Sequence, residues 1–169
     1  MVFLFIAFKF ITSELPDEKN IVKITGILKD DIKKENRGRG KKSLIVKLKN
    51  YPEIDFMIGT VSLDETYSEK LTDENKTGDS ITFFIEDVEF RRKIVKKEKI
   101  PFPENILHPE KIEIVAINNN KSNYLLLEDY RKAHLKNNYL GIAFFGILGL
   151  LMFILGMKVM RNIKTNIKN

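Results

Sequence analysis

The sequence predicts a mainly β protein: a small antiparallel β-barrel or sandwich of about six strands and one short helix. A long C-terminal helix that becomes a transmembrane span follows it. Three observations predict this class. Six segments between residues 21 and 129 carry strand patterning, "LEDYRKAHLKNN" (127–138) reads as a helix, and residues 137–157 form a run of 21 without a charge. The expected domain limits are 1–12 for an apolar N-terminal segment and 20–130 for the β domain. The juxtamembrane and transmembrane helix takes 128–160, and a basic tail 161–169.

The chain opens on "MVFLFIAFKFI" (1–11), apolar but interrupted by Lys9 and only about 16 Å long as a helix. No basic stretch precedes it, as a secretory signal would require. Three readings remain: the tail of a longer, truncated membrane helix, an interfacial helix, or a strand of the β domain. The first is preferred, because "TSELPDEKN" (12–20) reads as an abrupt polar exit with a proline stop.

Strand signals then dominate. "IVKITGILKD" (21–30) is β-branched, and "SLIVKLKN" (43–50) sets Leu44, Val46 and Leu48 against Lys47 and Lys49. "IDFMIGTV" (54–61) puts Phe56 and Ile58 on one face, and in "SITFFIED" (80–87) Phe83 and Ile85 point inward if Phe84 and Glu86 point outward. "KIEIVAIN" (111–118) and "NYLLLED" (123–129) complete the set, with turn punctuation at "KTGD" (76–79) and "NNNKS" (118–122). Between the third and fourth strands, Ser62 and Glu65 are spaced as a capping box, and Leu63, Tyr67 and Leu71 form a helical stripe. This order fits an oligonucleotide/oligosaccharide-binding-type barrel, a plain sandwich and an SH3-like barrel. "PFPENILHPE" (101–110) reads as an extended loop stiffened by three prolines.

"LEDYRKAHLKNN" has acids first and bases later, matching the helix dipole, and is expected to run on into the span. A run of 21 residues rises about 31 Å, against a hydrocarbon core of about 30 Å. Tyr139 marks one interface; Leu140, Phe144, Phe145, Leu148, Leu151, Phe153 and Leu155 supply the apolar surface; Lys158 and Arg161 close the other end. Of the glycines in the span, Gly149 and Gly156 lie seven apart on one face, and no pair has the four-residue spacing of a close-packed helix dimer. Four bases follow the span and three precede it, so the C-terminus is expected in the cytoplasm and the β domain outside.

The net charge of +6 comes from 29 bases against 23 acids, a mixed surface that calls for no nucleic-acid partner, and lysine and asparagine are abundant throughout. The absence of cysteine excludes disulfides, thiol nucleophiles and zinc–thiolate sites. Two segments concentrate the bases. In "KKENRGRGKK" (33–42) these are Lys33, Lys34, Arg37, Arg39, Lys41 and Lys42. "FRRKIVKKEK" (90–99) carries Arg91, Arg92, Lys93, Lys96, Lys97 and Lys99. Arginine forks and glycine-exposed backbone grip oxyanions, so the eleven bases from Lys33 to Lys97 are the candidate anion-binding residues. A solvated connection and a lysine-guarded edge explain the same residues without a ligand. Neither segment has the spacing of a phosphate-binding loop. His108 and His134 have no metal-ligand or triad partner at a recognisable spacing, so neither catalytic residues nor a metal or cofactor are expected.

Gly78 and Asp79 before "SITFFI", followed by the 137–157 span, give the chain a layout that resembles uncharacterised bacterial membrane proteins. In those proteins a domain of unknown function sits between two helices. The resemblance implies a bacterial inner-membrane, cell-envelope location and brings no functional residues. The expected function is therefore non-enzymatic: a membrane-anchored β domain whose partners are the lipid bilayer and a membrane or envelope protein. The alternative is a module binding a lipid headgroup, glycan or nucleic acid through the two basic segments.

Overall fold

The computed structural model describes residues 2–166 apart from 13, 37, 39, 40 and 119–121. In chain order its elements are α1 (Val2–Ile11), β1 (Ile21–Ile27), β2 (Lys33–Asn36), β3 (Lys42–Lys47), β4 (Asp55–Ile58), α2 (Thr60–Leu63) and α3 (Ser68–Glu74). There follow β5 (Ser80–Glu86), α4 (Asp87–Glu89), a π-helical turn (Phe90–Ile94), α5 (Glu104–Leu107), β6 (Lys111–Asn118), β7 (Asn123–Leu125) and α6 (Leu127–Asn166). Two compact units result: Pro16–Ala133, and the terminal stretches Met1–Leu15 with His134–Asn169. Mainly β with one long C-terminal helix is the architecture found.

The strands form one sheet in the order β1-β5-β6-β4-β3-β2, with β7 also paired to β6. Alternation in the sequence becomes burial directly. Ile81, Phe83 and Ile85 of β5 face the core while Thr82, Phe84 and Glu86 are only partly covered. Leu44, Val46, Leu48, Phe56 and Ile58 are buried from the neighbouring strands, and the Phe56 and Phe83 rings meet at 4.9 Å between centroids. Both faces of β3 are buried from Ser43 to Val46, because α2 lies against it. Next to the core side of β1, a Cβ on Gly26 would stand 2.8 Å from Leu48 Cδ1, so a larger residue there would require the buried Leu48 side chain to shift.

The structure corrects several local expectations. The strands number seven among the described residues, because Lys33–Asn36 pairs with β3 instead of forming only a loop. The sheet is mixed: β4 and β6 run parallel, from Asp55↔Lys111 to Met57↔Glu113. The single helix with a capping box becomes two short helices. Gly59 is the N-cap of α2, while Ser62 is buried with its Oγ 3.5 Å from Glu113 Oε1. "PFPENILHPE" is not extended throughout, since Glu104–Leu107 makes a helical turn. Nor is the barrel closed. β1 and β3 meet only at the isolated bridge Leu28↔Leu48, flanked by Lys29 N–H to Lys47 O and Lys49 N–H to Ile27 O, both 2.8 Å. Leaving out β2 and β7, the order with one parallel pair and helices between β4 and β5 is the connectivity of the partly open oligonucleotide/oligosaccharide-binding barrel.

α6 is one element of 40 residues. Its first turn belongs to the β unit, where Tyr130 is buried and its hydroxyl hydrogen-bonds the Glu113 carboxylate of β6. Leu127–Lys158 is the one stretch among the described residues long and apolar enough to cross a membrane. Only 6% of its most apolar window is buried, whereas a soluble core helix would be mostly covered. Tyr139, Leu140, Phe144, Leu151, Phe153 and Leu155 are exposed, with Phe145 and Leu148 half-buried. In the terminal unit α1 is helical, not a strand, and its Phe3 and Phe10 stack on Phe145 at 6.3 and 6.0 Å. Gly141 faces Phe10, where a Cβ would lie 3.0 Å from the ring. This glycine thus serves contact between helices of one chain. At 10 residues α1 is about 15 Å long, half a bilayer core.

Candidate functional site

The first basic segment forms the β2–β3 hairpin. β2 contains no apolar residue and is held by backbone pairing to β3, from Lys33↔Ile45 to Asn36↔Lys42. All four of its residues are exposed, as are Lys41 and Lys42. Arg37 and Arg39 lie outside the described residues. Lys111 Nζ stands 3.6 Å from Glu35 Oε2, linking the hairpin to the start of β6. At the hairpin's base, Asp31 Oδ1 accepts from the Thr77 N–H at 2.8 Å and the Thr77 hydroxyl at 2.7 Å. The Thr77 hydroxyl and then its N–H hold the Asp31 carboxyl below its ordinary value.

The second basic segment is folded differently. β5 runs through α4 into the π-helical turn, which presents Arg91, Arg92 and Lys93 to carboxylates. Arg91 pairs with Asp87 one helical turn earlier and, at 2.6 Å, with Glu98. Arg92 Nε lies 3.8 Å from Glu98 Oε2. The Lys93 side chain is 2% exposed, and its ammonium meets Glu89 at 2.6 Å, Glu104 at 2.5 Å and the Lys111 carbonyl at 2.6 Å. A buried ammonium with three oxygen partners uses all its donors. Lys96 and Lys97 are exposed, and Lys96 reaches Glu53 at 3.8 Å. Of the sequence-selected bases here, three are therefore engaged inside the fold.

Sequence patterning gave no hint of a third feature. A groove of about 1100 Å³ opens between β1, β5, α3 and β7. Lys23 and Lys70 border it, Thr82 and Phe84 line its sheet side, and Glu74 and Tyr124 its wall. The Tyr124 hydroxyl donates to Glu74 Oε2 at 2.7 Å, Ser122 Oγ donates to the same oxygen at 3.2 Å, and Asn75 Nδ2 lies 3.4 Å from the tyrosine oxygen. Its residues come from four distant segments, so no local motif announces it. The arrangement offers hydrogen-bonding groups and two ammonium groups, which suits recognition of a polar surface.

His108 is exposed at the C-cap of α5. Among the described residues no group of three or more His, Cys, Asp or Glu is placed to hold a metal ion. Compared with models of known protein families and with curated proteins, the chain matches none.

Proposed function

We propose that this protein is a membrane-anchored, non-enzymatic binding module of the bacterial cell envelope. In this reading α6 crosses the inner membrane, the C-terminus lies in the cytoplasm, and the β unit meets a membrane or envelope protein outside. The observation that carries it is the uncharged stretch of α6, only 6% of whose most apolar window is buried among the described residues. Eleven Leu, Ile and Phe residues lie between 137 and 157, and each favours insertion by about 0.3–0.6 kcal/mol. The groove beside Tyr124 is the surface offered to the partner. Because the chain has no cysteine, Ser122→Cys and Thr165→Cys can be labelled singly in intact cells with an impermeant maleimide. The reading predicts labelling at 122 and protection at 165. Labelling of both from one side contradicts the crossing, and the reverse pattern contradicts the orientation.

One observation favours a second reading, an anionic ligand on the β2–β3 hairpin. The hairpin and the segment between β5 and β6 occupy the two connections that flank the ligand face in oligonucleotide/oligosaccharide-binding barrels, and the hairpin keeps Lys33, Lys34, Lys41 and Lys42 exposed. Heparin is a suitable probe. Replacing these four lysines by Gln in the detergent-solubilised full chain should lower the salt needed for elution from heparin. Unchanged elution, or no retention of the parent chain, removes this reading.

A further inference from the structure

The segment between the π-helical turn and β6 has a fastened base and an uncovered tip. At the base Lys93 holds Glu104 and the Lys111 carbonyl, and Arg91 holds Glu98, so both ends of the segment are tied to one place. Backbone bonds from Asn105 N–H to Pro101 O and from Leu107 N–H to Pro103 O shape the tip. Three large apolar side chains within six residues then face outward: Phe102 is 79% exposed, Ile106 70% and Leu107 62%. Isolated exposed apolar residues are ordinary, whereas a cluster on one tip marks an interaction surface. Three exposed lysines, Lys96, Lys97 and Lys99, stand in the same segment. Arg91, Arg92, Lys93 and Lys111 are paired with carboxylates of the fold, so the charge the segment offers outward is that of Lys96, Lys97 and Lys99, of which Lys96 also stands 3.8 Å from Glu53.

From this geometry we infer that the 95–107 tip is a membrane-surface anchor. Phe102, Ile106 and Leu107 enter the boundary between headgroups and acyl chains, and Lys96, Lys97 and Lys99 lie among anionic lipid phosphates. Apolar insertion combined with basic residues is how peripheral segments hold an anionic bilayer. A basic tip would complement an acidic protein groove equally well, and what selects lipid is the candidate membrane span Leu127–Lys158 in the same chain. The inference rests on the proposed membrane anchor, since a span in the same chain keeps lipid at high effective concentration beside the tip.

The chain has no tryptophan, so Phe102→Trp introduces a single reporter at an exposed position that tolerates a larger ring. Ile106→Trp is the second reporter, and Phe153→Trp in the span is the reference. Each full-length variant is reconstituted into vesicles of phosphatidylglycerol with phosphatidylcholine, or of phosphatidylcholine alone, with brominated acyl chains as quencher. The expected result is blue-shifted emission at 102 and 106, quenched by more than half in the anionic vesicles. Quenching should be at least twofold weaker in phosphatidylcholine, or when Lys96, Lys97 and Lys99 are changed to Gln. Quenching at 153 with water-like emission at 102 and 106 overturns the tip and leaves the span standing. Blue-shifted emission at 102 without quenching by lipid bromine also overturns it, in favour of a protein partner or a second copy. No quenching at any position, 153 included, removes the tip and the membrane anchor together.

Discussion

Residues 33–42 and 90–99 have the same charge composition, six bases and one acid in ten residues, yet the fold uses them differently. In the second segment Arg91 and Lys93 follow Asp87 and Glu89 by four residues, the spacing that brings side chains together on a helical turn. Glu98 and Glu104 complete the neutralisation. The first segment has only Glu35 among its bases and forms an edge hairpin whose lysines point to solvent. Arg91, Arg92 and Lys93 thus become part of the fold because acids stand at pairing distance, whereas Lys96, Lys97 and Lys99 stay at the surface like the lysines of the hairpin.

The largest effect should come from Lys93. Changing it to Ala leaves Glu89 and Glu104 facing each other in a covered site, which should cost about 3 kcal/mol, the scale for breaking a buried pair from one side. The shift in denaturant midpoint of the detergent-solubilised chain measures this, and a loss below about 1 kcal/mol would mean the network adds little. Arg91→Ala removes two pairs whose side chains are 41% exposed on the arginine. Solvent screening limits this loss to about 1 kcal/mol, shrinking as salt is raised. A salt-independent loss would point to packing instead of charge.

Asp31, at the foot of the hairpin, should contribute at neutral pH and stop contributing in acid. Its folded-state value is depressed below 3.8 by Thr77, so its contribution is fully present above that value and is lost as pH falls through the lower folded one. An Asp31→Ala chain should be less stable than the parent at neutral pH, and the gap should close as the solution is acidified below about pH 4. A gap that stays constant would contradict the hydrogen-bonded carboxylate. The smallest effect on stability belongs to the exposed lysines. Replacing Lys33, Lys34, Lys41 and Lys42 by Gln should change unfolding by less than about 0.5 kcal/mol. A loss comparable to that of Lys93→Ala would end the contrast between the two segments.

Elements with a clean period were legible in the sequence. Ile81, Phe83 and Ile85, like Leu44, Val46 and Leu48, alternate and are buried as alternation requires, and the uncharged run 137–157 lies within the long α6 helix that its composition suggested. β2 was not legible, because "KKEN" holds no apolar residue and its strand form comes only from backbone pairing with β3. The parallel pairing of β4 and β6 joins residues more than fifty apart in the chain, a relation no local pattern encodes. The apolar stripe Leu63, Tyr67, Leu71 suggested one helix, but a turn divides it, leaving Leu71 buried and Tyr67 69% exposed. Of the candidate site, the i to i+4 acid–base pairs around Arg91 and Lys93 were present in the sequence. Glu104 and the Lys111 carbonyl reach Lys93 only through the folded 95–111 segment.

Membrane attachment by α6 is the claim on which the rest depends, and alkaline carbonate extraction of cell membranes tests it most directly. The account predicts that the full chain stays in the pellet and is released only by detergent. Recovery of the folded chain in the carbonate supernatant would contradict it.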